Sequence, residues 1–430
     1  MKNKNFLWMP LLFASIGISA QFNVTAKVSG GSVGNEAYLY SLDGSKDILV
    51  SKLSLTGDSF KYKVPNRYVG MMKLFFPKTN YAINFISENK DVNLDVKVSG
   101  DKVSEIVYND ASNRLMNDVQ DKERKKQYIL PALYQIMEYY KPSDVFYTAM
   151  EKEVKGLSDA KTTINSEQNP FVSYYVTNYG KYVEESANSA VSDQDLIKFI
   201  SNSNELLETS SLLRPVLLRY LNTKGAENND AKVDKLLTAV NVETSRGQTV
   251  LSEFIDIFDV YSMNTLKEKY LNQAKNLKCE INSRLTSTIQ TNESVNVGAV
   301  FTNSNLDNAI NTTAKSLHDL KAAKKVIVFW SSTCSHCETD LPNFIPVYQK
   351  LKAANIEIVG FSLDSEQSAY QNKAKNYPWI SSSELKGWYS SYVDKYNVHA
   401  TPSYFVLDAN NKIIAKPNMS KDVLEFLGVK

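Results

Sequence analysis

Hydrophobic and polar positions change period twice along this chain. From Gln21 to about Gly100 they alternate. Phe60, Tyr62 and Val64 are separated by lysines, and Val92, Leu94, Val96 and Val98 by polar residues. A period of two marks strands with one buried face. Asp43-Gly44 and Thr56-Gly57-Asp58 supply turns between them. Short strands at this spacing predict a small antiparallel β-sandwich over residues 21–103. From about Glu105 to Glu293 the period becomes helical. Asn169-Pro170 opens a helix whose Phe171, Tyr174, Tyr175, Asn178 and Tyr182 share one face. Ser192 and Asp195 form a capping-box-like start for an apolar run from Leu196 to Leu207. Leu251, Phe254, Ile255 and Phe258 form another apolar face. Aromatic stripes at this spacing read as core, and the run Asp121 to Lys126 as a solvated helix face. Residues 104–293 are therefore predicted to be a helical region.

After a polar link at Thr291–Val297 the pattern mixes. A strand is predicted over Ala299–Thr302 and a buried one over Val326–Phe329, followed by a helix. Next come a strand at Ile356–Leu363 and helices around Ser365–Lys375 and Glu384–Lys395. Strand Tyr404–Leu407 turns at Asp408–Asn411 into Lys412–Lys416, and a last helix starts near Ser420. The chain thus reads as a multi-domain α+β protein whose final unit spans residues 294–430.

Composition narrows the function. The 430 residues are 43% hydrophobic, enough for two or three cored domains. Lys+Arg 49 against Asp+Glu 47 leaves no basic field, so no nucleic-acid partner is implied. Lys2 and Lys4 precede an apolar stretch, Phe6 to Ile18, that ends at Ser19-Ala20. This is the layout of a secretory signal peptide, residues 1–20, and it is short for a membrane span. An uncleaved anchor is the alternative. Three cysteines, Cys279, Cys334 and Cys337, make no disulfide framework.

The chemistry concentrates in Phe329-Trp330-Ser331-Ser332-Thr333-Cys334-Ser335-His336-Cys337. A strand feeds a loop that delivers Cys-x-x-Cys to the start of a helix. A thiolate there meets free N–H groups and the positive end of the helix dipole, which lowers its pKa. The second cysteine, one turn on, is close enough to close a disulfide. No second Cys-x-x-Cys or His pair completes a zinc site, so no metal is expected. A peroxiredoxin would need Pro-x-x-x-Thr-x-x-Cys, which is absent. A cysteine protease would need a His partner; His399 qualifies only by proximity to Pro402, and His399 and His318 read as structural or exposed. Cys279 reads as an inert thiol at a helix end.

These features, with Trp330 four residues before Cys334 and Thr401-Pro402 ahead of the strand, make residues 296–430 resemble the TlpA/ResA-type thioredoxin-like family. That family comprises extracytoplasmic thiol-disulfide oxidoreductases. Further matching segments are Ser316–Leu320, Asp340-Leu341-Pro342, Ile358–Asp364, Lys386-Gly387-Trp388 and Tyr396-Asn397-Val398. The order of the first two regions is similar to relatives carrying an N-terminal β domain of unknown function. Thr333 stands where relatives often have Trp, Val328 where cytoplasmic thioredoxin has a buried Asp, and Asp340 where the family usually has Glu.

The resemblance implies a thioredoxin fold and a redox-active Cys334–Cys337 disulfide with no other cofactor. Cys334 would attack and Cys337 would resolve the mixed disulfide. His336 would tune the Cys334 thiolate or be an ordinary exposed loop residue, Asp340 would take the Cys337 proton or be an exposed first-turn carboxylate at the helix dipole, and Pro402 would be a cis-proline. Trp330, Thr401 and Pro402 would face substrate. Partners would be thiols or disulfides of secreted or envelope proteins, plus a membrane-bound electron donor or acceptor, in the periplasm or envelope. The competing reading is an envelope binding or assembly protein whose β and helical regions carry the function.

Overall fold

The computed structural model describes residues 21–100, 102–159, 164–184, 191–223 and 227–429. The signal segment expected at residues 1–20 lies outside them. Eight strands come first: β1 (Phe22–Ser29), β2 (Glu36–Asp43), β3 (Lys46–Ser54), β4 (Ser59–Val64), β5 (Val69–Phe76), β6 (Tyr81–Glu88), β7 (Val92–Ser99) and β8 (Lys102–Tyr108). They form two four-stranded sheets, ordered β4-β1-β7-β8 and β3-β2-β5-β6. The alternating positions face inward: Phe22, Val24, Phe60, Leu74, Leu94 and Val96 share one buried core. One pair departs from antiparallel order, since β1 and β7 run parallel with Val24 opposite Val92. Parallel neighbours need a crossover connection, and the strands between them supply it.

The helical region runs from Ala111 to Ser294. Its centre is the helix Ser245–Val260, buried continuously from Gly247 to Phe258. A helix buried all round belongs at the middle of a bundle, and here it brings charges inside. Glu253 and Asp256 meet Arg284, only 1% exposed, at 3.0 and 2.5 Å. Arg214 adds a second contact to Glu253 at 2.9 Å. The Ser192/Asp195 capping box is present, but its helix stops at Asn202 and a separate turn, Leu206–Thr209, follows. The Asp121–Lys126 run is exposed or half-buried on the long helix Ala111–Met137.

The sandwich is locked to the helices by the β2–β3 turn. Ser45 N and Oγ donate to Glu253 Oε1 at 2.9 and 3.0 Å. Gly44 has φ +65°, and a Cβ there would lie 2.4 Å from Glu253 Oε1. Glycine is therefore required at this turn both for its backbone and for its lack of a side chain.

The C-terminal unit is a five-stranded sheet ordered β11-β10-β9-β12-β13. Its strands are β9 (Lys324–Trp330), β10 (Ile356–Ser362), β11 (Ile380–Ser383), β12 (Ser403–Asp408) and β13 (Ile413–Ala415). β9, β10 and β11 are parallel; β12 is antiparallel to β9 and β13 to β12. Helices on both faces complete a thioredoxin-like fold. Three local expectations change. Residues 299–302 make a single bridge, Val300 to Lys412, because Phe301 turns inward to stack on Tyr396 at 4.2 Å. The region 384–395 divides into a 3-10 turn, Gly387–Tyr389, and a short helix, Ser391–Lys395. Strand β11 escapes the pattern because its Ser-rich sequence is buried on both faces. Tyr389 also stacks on Phe75 of β5, with ring centroids 4.0 Å apart, so the sandwich touches this unit as well.

Candidate redox site

β9 ends at Trp330, and the chain turns through Ser331–Thr333 to place Cys334 as the N-cap of the helix Ser335–Asp340. The helix is short because Pro342 and Pro346 follow, and the chain continues as a 3-10 segment, Leu341–Val347. Cys334 and Cys337 are joined as a disulfide with Cα atoms 5.2 Å apart. Cys337 is 1% exposed, whereas Cys334 is half-buried and reaches the surface. The Cys337 N–H donates to Cys334 Sγ at 3.1 Å. In the dithiol form this N–H is a ready donor to a Cys334 thiolate, reinforced by the helix start.

Opposite the sulfurs lies the loop before β12. The Thr401–Pro402 peptide bond is cis, and the Thr401 carbonyl oxygen is 3.3 Å from Cys334 Sγ. Both residues are half-buried and open to the surface.

The approach loop is held by Asp364, which follows β10 and is 5% exposed. Its carboxylate accepts from Ser331 Oγ at 2.9 Å, Ser332 N at 2.9 Å, Ser332 Oγ at 2.8 Å and Ser362 Oγ at 2.7 Å. Four donors satisfy a buried carboxylate and fix the turn that aims Cys334.

Asp340 ends the short helix Ser335–Asp340, three residues after Cys337. Tyr404 donates to Asp340 Oδ2 at 2.6 Å, Ser420 N to the same oxygen at 3.0 Å, and Ser420 Oγ to Oδ1 at 2.6 Å. Burial, then the adjacent Asp340 carboxylate, pushes the Tyr404 phenol far above its ordinary range. Tyr404 therefore stays a proton donor.

His336 is exposed, and no hydrogen bond to its ring is found among the described residues. Trp330 requires a correction. It is 0% exposed, wedged edge-on against Tyr377 at 5.4 Å, and so cannot face substrate. The last residue of a central strand points into the core here, and Gly360 on β10 makes room for it: a Cβ there would lie 2.8 Å from Trp330 Nε1. Cys279 is half-buried, with Gln248 Nε2 3.4 Å from its sulfur. His318 Nε2 lies 2.8 Å from the Phe301 carbonyl oxygen.

The pattern of the sequence did not single out Asp364, Tyr404, Ser420 or Asp259. Asp364 lies in the segment Ile358–Asp364, where the resemblance implies no role for it. Tyr404 was absorbed into an apolar strand. Asp259 closes the helix Ser245–Val260 and accepts from Asn397 Nδ2 at 2.7 Å, 138 residues away. His399 Nε2 stands 3.5 Å from the same oxygen, a charge contact rather than a well-formed hydrogen bond. Burial opposes the Asp259 charge, but His399 and Lys267 outweigh it and hold the carboxyl below its ordinary range. The helical region thus grips the loop that leads into Pro402.

Known proteins resemble the C-terminal part of this chain. Residues 297–416 match the AhpC/TSA family. ResA, a thiol-disulfide oxidoreductase of Bacillus cereus, is 29% identical over 101 residues, covering 23% of this chain and 57% of its own. ResA of Bacillus thuringiensis subsp. konkukian is 29% identical over 118 residues, covering 25% and 64%. The chain thus spans less than two thirds of the length of these relatives. Among solved structures, the thioredoxin domain of a thiol-disulfide oxidoreductase from Bacteroides vulgatus is 21% identical, covers 31% of this chain and 97% of its own, and has a TM-score of 0.29. Residues 297–416 thus match the AhpC/TSA family and are related in sequence to the ResA thiol-disulfide oxidoreductases.

Proposed function

We propose that the chain is an extracytoplasmic thiol-disulfide oxidoreductase that exchanges disulfides with secreted or envelope proteins. The observation that carries this reading is the Cys334–Cys337 pair at a helix start, with Cys334 Sγ 3.3 Å from the carbonyl of Thr401 before cis Pro402. The charged-then-apolar leader at residues 1–20 supports the location, and the ResA relationship supports the chemistry.

The exchange follows from the exposure difference. In the dithiol form, the Cys334 thiolate attacks one sulfur of a client disulfide and expels the other client sulfur as a thiolate. A mixed disulfide results. Cys337, as thiolate, then attacks Cys334 Sγ, forming the Cys334–Cys337 bond and releasing the second client thiolate. The client gains two electrons and the protein loses them. Run backwards, the same steps oxidise a client dithiol. Asp340 is the proposed acceptor of the Cys337 proton, His336 the proposed stabiliser of the Cys334 thiolate, and Thr401 with Pro402 the proposed client-facing backbone. A membrane-bound electron donor or acceptor would reset the pair.

Insulin reduction by dithiothreitol tests the reading. Wild type accelerates precipitation and Cys334→Ser does not; equal rates would sink the proposal.

A further inference from the structure

A cavity of about 520 Å³ lies between the helical region and the thioredoxin-like domain. Asp259, Ser262 and Lys267 line it from one side; Pro402, Phe405 and Lys416 line it from the other. Pro402 is part of its wall, one residue from the Thr401 carbonyl oxygen that lies 3.3 Å from Cys334 Sγ.

The charges in this cavity are not equally satisfied. Asp259 is saturated: Lys267 Nζ at 2.9 Å, Asn397 Nδ2 at 2.7 Å and His399 Nε2 at 3.5 Å surround it. Lys267 is thereby paired with a carboxylate. Glu268 is exposed, where solvent and salt screen it. Lys416 differs. It is partly buried, its Nζ stands 5.3 Å from the centre of the Phe405 ring, and among the described residues no carboxylate reaches it within ion-pair distance. Burial, then the neighbouring Lys267 charge, lowers its pKa against the opposing pull of Asp259 and Glu268. Asp259 and Glu268 act on it only at longer range, so this partly desolvated ammonium has no direct ion-pair partner, and a carboxylate entering the cavity to contact it would relieve the cost of its burial.

We propose that this cavity is a docking cleft for an extended client segment with an acidic side chain near its cysteine, and that Lys416 reads that charge. The proposal rests on the oxidoreductase reading and names its substrate class. The helical region becomes one wall of the client site. The Asp259 contacts to Asn397 and His399 hold that wall against the loop before Pro402.

The test uses the full chain in its disulfide form and two fluorescent peptides that differ only in Asp or Lys beside a serine replacing the client cysteine. Anisotropy reads the dissociation constants. The Asp peptide is expected to bind about tenfold more tightly at low salt, the value of one charge-assisted hydrogen bond. The preference persists in Lys416→Arg, disappears in Lys416→Met and reverses in Lys416→Glu. Equal affinities in wild type, or a preference that survives Lys416→Met, overturn the proposal. Cysteine-bearing versions of the peptides report exchange separately. Loss of exchange with an intact Asp preference removes the oxidoreductase reading and leaves the cleft standing.

Discussion

The Tyr404 hydroxyl donates to Asp340 Oδ2 at 2.6 Å, tying the strand after cis Pro402 to the helix that begins at Cys334. Ser420 holds the other oxygen from the C-terminal helix. Asp340, three residues after Cys337, is thus held in place by Tyr404 and Ser420. If it accepts the Cys337 proton, Asp340→Asn slows resolution more than attack, and mixed disulfides accumulate. Acid quenching during insulin reduction, followed by non-reducing gels, checks this. An unchanged ratio of mixed disulfide to product removes the role. Tyr404→Phe, which deletes one hydrogen bond, is expected to lower stability by about 1 kcal/mol in urea unfolding.

Cys334 and Cys337 differ in exposure, and in the proposed exchange this difference sets their order of attack. Cys334 is expected to alkylate faster at neutral pH. Cys337→Ser traps client mixed disulfides and Cys334→Ser does not. Trapping by Cys334→Ser alone would reverse the assignment.

His336 stands in the exposed turn between the cysteines. If its imidazole stabilises the thiolate, His336→Ala and His336→Pro both raise the Cys334 pKa. A shift of about one unit, roughly 1.4 kcal/mol, makes the couple more reducing by about 30 mV. Thiolate absorbance against pH and equilibration with glutathione measure the two quantities. If neither moves, His336 is an ordinary exposed residue.

Asp364 organises the approach loop through Ser331 and Ser332. Asp364→Ala leaves these donors without their acceptor and is expected to cost about 1–3 kcal/mol. The insulin rate is expected to fall with it, because the turn that aims Cys334 loosens. A full rate at unchanged stability contradicts this account.

The charged centre of the helical region makes stability depend on acid. Burial works against ionised Glu253, but Arg284 and Arg214 prevail and hold its pKa below the ordinary range. Asp259 is displaced in the same direction. A depressed folded pKa contributes stability that is complete above the unfolded value, near pH 4, and lost as pH falls through the folded one. Urea midpoints are expected to hold from pH 7 to about pH 5 and drop below about pH 4. Glu253→Gln is expected to be less stable at pH 7 and to show a shallower acid loss. Arg284→Met leaves the buried Glu253 and Asp256 carboxylates with Arg214 as their remaining cation and is expected to cost up to about 3–5 kcal/mol.

The sequence by itself determined whatever depends on local spacing. Alternation at Val92–Val98 made a half-buried strand, helical period at Leu251–Phe258 made a core helix, and strand, Cys-x-x-Cys and Thr401-Pro402 marked the redox pair. These signals survive because period and backbone chemistry act over a few residues. Tertiary structure decided what depends on distant partners. Trp330 turned inward because Gly360 leaves space for it. Strand β11 exists because β10 on one side and Ile310 on the other pair with a serine run that carries no apolar pattern. Glu253 is charged at the core because Ser45, Arg214 and Arg284 converge on it from three separate segments. Asp259 meets Asn397 across 138 residues of chain. Hydrogen-bond and charge complementarity of that kind has no period in the sequence, so only the packed chain reveals it.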